Sequence, residues 1–323
     1  MLTITHRGVP ETFIQQIVKS LNKDLGEAKL VKQIPMAASD IHIDLDFADT
    51  KNKLVGKFNV LILAEPQSVI PWQYMKSVLR RFDLVIPISQ LRANRIGCKN
   101  WAPLPYDFKV NKFSEISRIE KVVMINSAKF SANKNSLYAL RRNVSKQLSL
   151  LNIGYKLVGD NWKMSKIKEM RERIWAVRKE ISAGNFPDFL EAFSNFFYRY
   201  PEHVGRVDNK FTELSKYQYA LVIENEPDYL SEKLFDAISA GCVPVYIGYN
   251  LNSFEKLSNC VIQIEPDVNK IVNFFKTNNT ELYKEKKDYI DNPENYSSDL
   301  NIFSLDSSSK KISKIIADNF CDK

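Results

Sequence analysis

The sequence predicts an α/β protein of two lobes, each a parallel sheet flanked by helices, with an interdomain cleft between them. Three observations carry this. Strand-like and helix-like segments alternate along the chain, the pattern of βαβ units. The runs "FNVLILA" and "FDLVIPIS" are nearly all apolar, as in strands covered on both faces. The chain has 323 residues, more than a single core usually organises. The expected division is 1–110 and 111–323, the second domain closing with a C-terminal tail helix.

The elements follow in order. "LTITH" reads as a short strand. "PETFIQQIVKSLN" reads as a helix, because Phe13, Ile14, Ile17 and Leu21 share one face. "IHIDLDF" alternates as a half-buried strand does and sets Asp44 and Asp46 on one polar face. "PWQYMKSVLRRF" reads as a helix between the two apolar strands. "NWAPLPYDF", with two prolines and no period, is the linker. A second series follows: strand "KVVMINS", helix "NSLYALRRNVSKQLSLL", and strands "YKLVG", "YQYALVIE", "VPVYIG" and "CVIQI". Residues 292–309 are rich in Ser, Asp and Asn and read as a loop. "SKKISKIIADNF" reads as a closing helix.

Apolar residues make up 44% and charged residues 26%, an ordinary globular composition. The net charge of +8 favours an anionic partner: a phosphate-bearing ligand, a membrane surface or a nucleic acid. The basic groups are interleaved with acids and no nucleic-acid motif appears, so a nucleic-acid-binding protein is the weakest of these readings. Cys98, Cys242, Cys260 and Cys321 show no C-x-x-C spacing, and the three histidines are scattered, so no zinc site is expected. "MLTITHRGVPETF" has no secretory pattern, and no apolar run approaches the roughly 20 residues of a membrane span. The expectation is a cytoplasmic protein, at most peripheral on the inner membrane face.

The most informative stretch is "ENEPDYLSEKLFDAISAGCVPVYIG", Glu224 to Gly248. A strand ends at Glu224, and Pro227 delays the following helix. Asp228 or Ser231 can cap that helix. Leu230, Leu234, Ala237 and Ile238 form its buried stripe, and Gly241 suits a left-handed C-terminal cap. Asn225, Tyr229, Glu232 and Lys233 then lie past a strand end or in a helix's first turn. That turn exposes N–H groups and the positive end of the helix dipole. A diphosphate is favoured there, and Lys233 adds a point charge. Glu232 repels phosphate but can accept hydrogen bonds from sugar hydroxyls. A nucleotide-sugar offers both groups side by side. On local physics alone, Asp228 and Glu232 equally suit a simple helix start.

These residues resemble the signature of glycosyltransferase family 10, the α-1,3/1,4-fucosyltransferases. The matching positions are Tyr217-Gln218-Tyr219, Glu224-Asn225, Tyr229-Leu230-Ser231-Glu232-Lys233 and Ala240-Gly241-Cys242-Val243-Pro244-Val245 to Gly248. The direct match covers about 35 residues, and "GRVDNKFTELS" extends it upstream. The resemblance implies a GT-B-type fold with two Rossmann-like domains. It implies GDP-fucose as donor, held by the C-terminal domain on Asn225, Tyr229, Glu232 and Lys233, with the acceptor on the N-terminal domain. It also implies an inverting transfer of L-fucose to a hydroxyl of a glycan or lipid-linked glycan acceptor. Where the family carries an Arg a few residues before a Tyr, this chain has Lys134, with Arg141 one turn later. Lys cannot form the bidentate fork of Arg, which leaves another nucleotide-sugar open. By the same resemblance Glu65, after the strand in "NVLILAEPQ", takes the place of the catalytic base. On its own residues, Glu65 is also readable as a solvated strand-end carboxylate. Lys233, Lys134 or Arg141 and the helix N-terminus would neutralise the leaving diphosphate, so no metal and no other cofactor is expected.

Two further features remain. In "KMSKIKEMRERIWAVRKEI", Ile167, Met170, Ile174, Val177 and Ile181 keep a 3–4 spacing beside many basic residues. The helix either rests on an anionic membrane or packs on its own domain, and the second is favoured. The aromatic run "NFPDFLEAFSNFFYRY" reads as core. His6 and Arg7, just after the first strand, are candidate acceptor contacts, whereas His203 reads as structural.

Overall fold

The structure, a computed structural model, describes residues 2–30, 39–47, 53–108, 118, 120–277 and 279–321. It forms two compact units, Met1–Asp107 with Asn301–Lys323, and Phe108–Leu300. The first contains β1 (Leu2–Arg7), α1 (Glu11–Leu25), β2 (Ala28–Leu30), β3 (Ser39–Leu45), β4 (Gly56–Leu63), α2 (Lys76–Leu79), β5 (Leu84–Pro87) and α3 (Gln90–Ile96). Its sheet is parallel, in the order β2-β1-β3-β4-β5.

The second unit contains β6 (Glu120–Ile125), α4 (Tyr138–Leu150), β7 (Tyr155–Val158), α5 (Lys166–Ser182), α6 (Phe189–Phe193), α7 (Lys210–Leu214), β8 (Tyr217–Ile223) and α8 (Glu232–Ser239). It continues with β9 (Val243–Ile247), α9 (Glu255–Asn259), β10 (Ile262–Gln263), α10 (Val268–Lys276), α11 (Thr280–Ile290) and α12 (Ser297–Leu300). Its sheet is also parallel, in the order β10-β9-β8-β6-β7. Each unit therefore repeats one topology, with strand order reversing between its first and third strands. In open parallel sheets that reversal marks where ligands bind, beyond the carboxyl ends.

The apolar runs do what their composition requires. Phe58 to Leu63 in β4 and Tyr219 to Ile223 in β8 are buried throughout. In α1, Phe13, Ile14, Ile17 and Leu21 are buried, and Gly26 ends the helix at φ 80°. The face they form meets α13 (Leu305–Cys321), whose Ile312 and Ile316 share the same core. The Ser313 hydroxyl also donates to the Ile17 carbonyl at 2.9 Å.

Five expectations need correction. The closing helix, expected with the second domain, completes the core of the first unit, because α1 has an apolar face that α13 matches. The expected helix over 71–82 is a 3-10 turn, Pro71–Tyr74, then an extended Met75 and the four-residue α2. Long-range bonds from Trp72, Gln73 and Tyr74 hold it in that broken form. Asp46 lies past the end of β3, at φ 57°, and is not in the strand with Asp44. In the α5 stripe, Ile167, Ile174 and Ile181 face outward while Met170 and Val177 are half-buried, and the aromatic run is only partly core, since Phe186, Phe189 and Phe197 are exposed.

Candidate functional site

In the second unit, the end of β8 and the start of α8 form one buried network. Glu224 is fully buried, and its carboxylate accepts from the Ser231 amide at 2.8 Å and from the Ser231 hydroxyl at 2.9 and 2.7 Å. Ser231, not Asp228, is the N-cap of α8, accepting from the Lys233 amide at 3.4 Å. The Lys233 ammonium donates to the Ser231 hydroxyl at 3.1 Å and reaches the Glu232 carboxylate at 3.4 Å. Burial pushes the Glu224 carboxyl above its ordinary range, and Lys233 and Ser231 offset part of that push. Partial desolvation pushes the Glu232 carboxyl up, but Lys233 and the hydrogen bonds around it outweigh that, so it ends low.

The turn from β9 reinforces the same network. A side chain at Gly248 would place its Cβ 2.5 Å from Glu224 Cγ and 2.6 Å from the Tyr246 hydroxyl, so only glycine fits. The Tyr246 hydroxyl donates to the Tyr229 carbonyl at 3.3 Å, and Tyr229 is itself 9% exposed. Gly241 has φ 68° and ends α8 in the left-handed conformation, as its position in the sequence predicts.

Arg141 is buried. It donates to the Ile223 carbonyl at 2.8 Å and to Asn225 Oδ1 at 2.9 Å, with its guanidinium 4.8 Å from the Tyr138 ring. Its bonds join the strand end to Asn225 and do not point to solvent. Lys134 is exposed in the loop before α4. Asn225, Glu232, Lys233 and Arg141 are thus brought together at the end of β8, with Tyr229 beside them.

Sequence reasoning missed Asn126, directly after β6. It is 4% exposed, and neither side-chain polar atom has a hydrogen-bond partner. It lines a cavity of about 110 Å³ with Lys210, Leu214, Glu232, Lys233 and Asp236, between β6 and β8. The strand-end rule points to Asn126 as directly as to Asn225. A larger cavity of about 500 Å³ lies on the β7 side, lined by Phe130, Arg142, Trp162, Ser165, Glu169 and Tyr200 among others. It includes none of the predicted donor residues.

In the first unit, His6 and Arg7 are the last two residues of β1 and not past its end. Arg7 grips the fully buried Asp44 through two bonds, of 2.6 and 2.8 Å, so this guanidinium is already paired. His6 Nδ1 has no partner, and burial lowers the pKa of the ring. Glu65 follows β4. Its amide donates to Asp46 Oδ1 at 2.9 Å, and its carbonyl accepts from Gln73 at 3.0 Å and Tyr74 at 2.8 Å. Its Oε2 has no hydrogen-bond partner. Asp46 Oδ1 also accepts from the Ala64 amide at 2.9 Å and from Gln73 at 3.2 Å. Burial, with the Glu65 charge adding, raises the Asp46 carboxyl from 3.8 to about 6 against these donors. Asp46 thus holds the backbone at Ala64 and Glu65, a contact that the alternating pattern of β3 concealed.

Among the described residues no cluster of three or more His, Cys, Asp and Glu could hold a metal ion, and no helix is long and apolar enough to cross a membrane.

No protein-family model matches the sequence, and no curated protein matches it significantly. Solved structures do match. HepE (Alr3699) of Anabaena in complex with UDP is similar over 98% of this chain and 100% of its own, at 11% identity and TM-score 0.55. Its complex with UDP-glucose is similar over the same shares, at 12% identity and TM-score 0.54. A trehalose-6-phosphate synthase, studied for glycosyl transfer with retention, is similar over 95% of this chain and 78% of its own, at 9% identity and TM-score 0.52. Two sheets of five parallel strands in matching order, each flanked by helices, give this chain the GT-B fold of two Rossmann-like domains.

Proposed function

We propose that the protein is a glycosyltransferase that draws its sugar from a nucleotide-sugar donor. The observation that carries this is the start of α8. A capped helix N-terminus, Lys233 and the unpartnered Asn126 meet at the reversal point of the second sheet. The positive end of the α8 dipole and Lys233 suit a diphosphate, while Glu232 and Asn126 suit sugar hydroxyls. HepE, which shares the fold, was solved with UDP and with UDP-glucose.

In its finer form the reaction transfers L-fucose from GDP-fucose to a hydroxyl of a glycan acceptor, with inversion. The acceptor oxygen attacks the anomeric carbon as Glu65 takes its proton. The bond from that carbon to the diphosphate oxygen breaks, and GDP leaves with the electron pair. The β-linked donor yields an α-linked product. The family 10 signature supports the donor, and the free Oε2 on an anchored Glu65 backbone supports the base.

A second reading keeps the transferase and changes the donor to another nucleotide-sugar such as a UDP-sugar. Arg141 favours it, because its guanidinium is already bonded to Ile223 and Asn225, which leaves Lys134 where a fork would grip GDP. Thermal shift with GDP, GDP-fucose, UDP and UDP-glucose separates the two. Stabilisation by GDP but not UDP supports fucose transfer, and the reverse supports the second reading. No response to any nucleotide rejects both. The anomeric configuration of the product, read by NMR, decides inversion.

A further inference from the structure

Helix α5 is built inside out. Its buried positions are Glu169, Arg173, Ala176 and Glu180. Arg173 is fully buried, bonds to Glu169 at 2.5 Å and to the carbonyls of Ala192 and Ser194, and stacks 4.3 Å from the Phe130 ring. Glu180 accepts from Asn133 at 3.2 Å and from Asn185 at 2.8 Å. These bonds hold the polar face inward and fix the rotation of the helix about its axis.

The consequence lies on the outer side. Ile167, Ile174 and Ile181 recur every two turns and so form one line, and they are 71%, 40% and 58% exposed. Arg171 and Arg178 recur at the same interval beside them, both exposed. The chain continues from the helix into the exposed Phe186, Phe189 and Leu190. Of thirteen large apolar side chains exposed among the described residues, eight lie between Ile167 and Phe197. Over 163–199, Lys163, Lys168, Arg171, Arg178 and Arg199 are exposed, against the single exposed acid Glu172. Apolar side chains that bury a few ångströms deep, bordered by cations, complement an anionic lipid surface.

We propose that α5 and the segment after it form a membrane-docking face that lies on an anionic bilayer, with Trp175 and the isoleucine line at the lipid boundary and Arg171 and Arg178 on the headgroups. The test uses the full chain with vesicles of phosphatidylcholine alone and of phosphatidylcholine mixed with phosphatidylglycerol. Co-sedimentation is expected with the mixed vesicles and much less with the neutral ones. Ile174→Ser with Trp175→Ser, and separately Arg171→Glu with Arg178→Glu, should each weaken binding roughly tenfold or more. These side chains are exposed, and an unchanged melting temperature checks the fold. Equal binding to both vesicle types removes the charge argument and overturns the proposal. So does binding that both variants leave unchanged, or no binding at all. Self-association in light scattering that Ile174→Ser with Trp175→Ser abolishes, without vesicle binding, gives the face to a second copy of the chain instead. The nucleotide thermal shift is independent of every arm.

Discussion

At the carboxyl edge of the first sheet, Asp44 lies near the end of β3, and Asp46 and Glu65 follow the neighbouring strands β3 and β4. At the same edge of the second, Asn126, Asn225 and the start of α8 do. The strand order is the same in both units, yet the chemistry differs. In the first, a carboxyl raised to about 6 holds the backbone of another whose oxygen has no hydrogen-bond partner. In the second, the fully buried carboxylate Glu224 is tied to a helix cap and offset by a lysine. The comparison teaches that topology selects the place, while residue type sets what that place offers: carboxyls in the first unit, amides and a lysine in the second.

The largest expected effect breaks the first half of this contrast. Glu65→Gln should lower transfer by about 10²- to 10⁴-fold, equal to roughly 3–5 kcal/mol in the barrier, while the nucleotide thermal shift persists. Unchanged turnover would remove Glu65 from the chemistry.

Arg141→Met tests the second half. It leaves the Ile223 carbonyl and Asn225 without their buried donor and takes a cation from the neighbourhood of Glu224. The expected loss is about 3 kcal/mol in urea unfolding. A loss under about 1 kcal/mol would mean that Arg141 does not hold the strand end.

Asp46→Asn sharpens the contrast through pH. Because the folded pKa is raised, the unfolded chain releases this proton first as pH rises. The Asp46 contribution is therefore fully present below about pH 4 and is lost as pH rises through about 6. Relative to the variant, the native protein should lose about 3 kcal/mol across that window, measured by melting at several pH values. A pH-independent difference would reject the assignment.

The smallest effect concerns the cap. Ser231→Ala should cost about 1–2 kcal/mol, since it removes both the N-cap and the hydroxyl partner of Glu224. Nucleotide affinity should fall as well if the start of α8 holds the donor, which isothermal titration would show.

Much of this protein was legible in its residues because the deciding forces are local. The apolar runs of β4 and β8 can only be interior strands. Pro227, Ser231 and Gly241 punctuate one loop and one helix through backbone preferences that no distant contact has to supply. That was enough to set two α/β units with parallel sheets and to locate Asn225, Glu232 and Lys233 at one strand end, while the GT-B type came from the family resemblance. The tertiary structure decided what depends on partners far along the chain. Arg141 turned inward because the Ile223 carbonyl and Asn225 were there to accept from it. Asp46 left its strand to bond the amides of Ala64 and Glu65. The stripe of α5 stayed outside because Arg173 and Glu180 found buried partners and the isoleucines did not. An amphipathic period states that a helix has two faces, but which face turns inward depends on what the rest of the chain offers each of them.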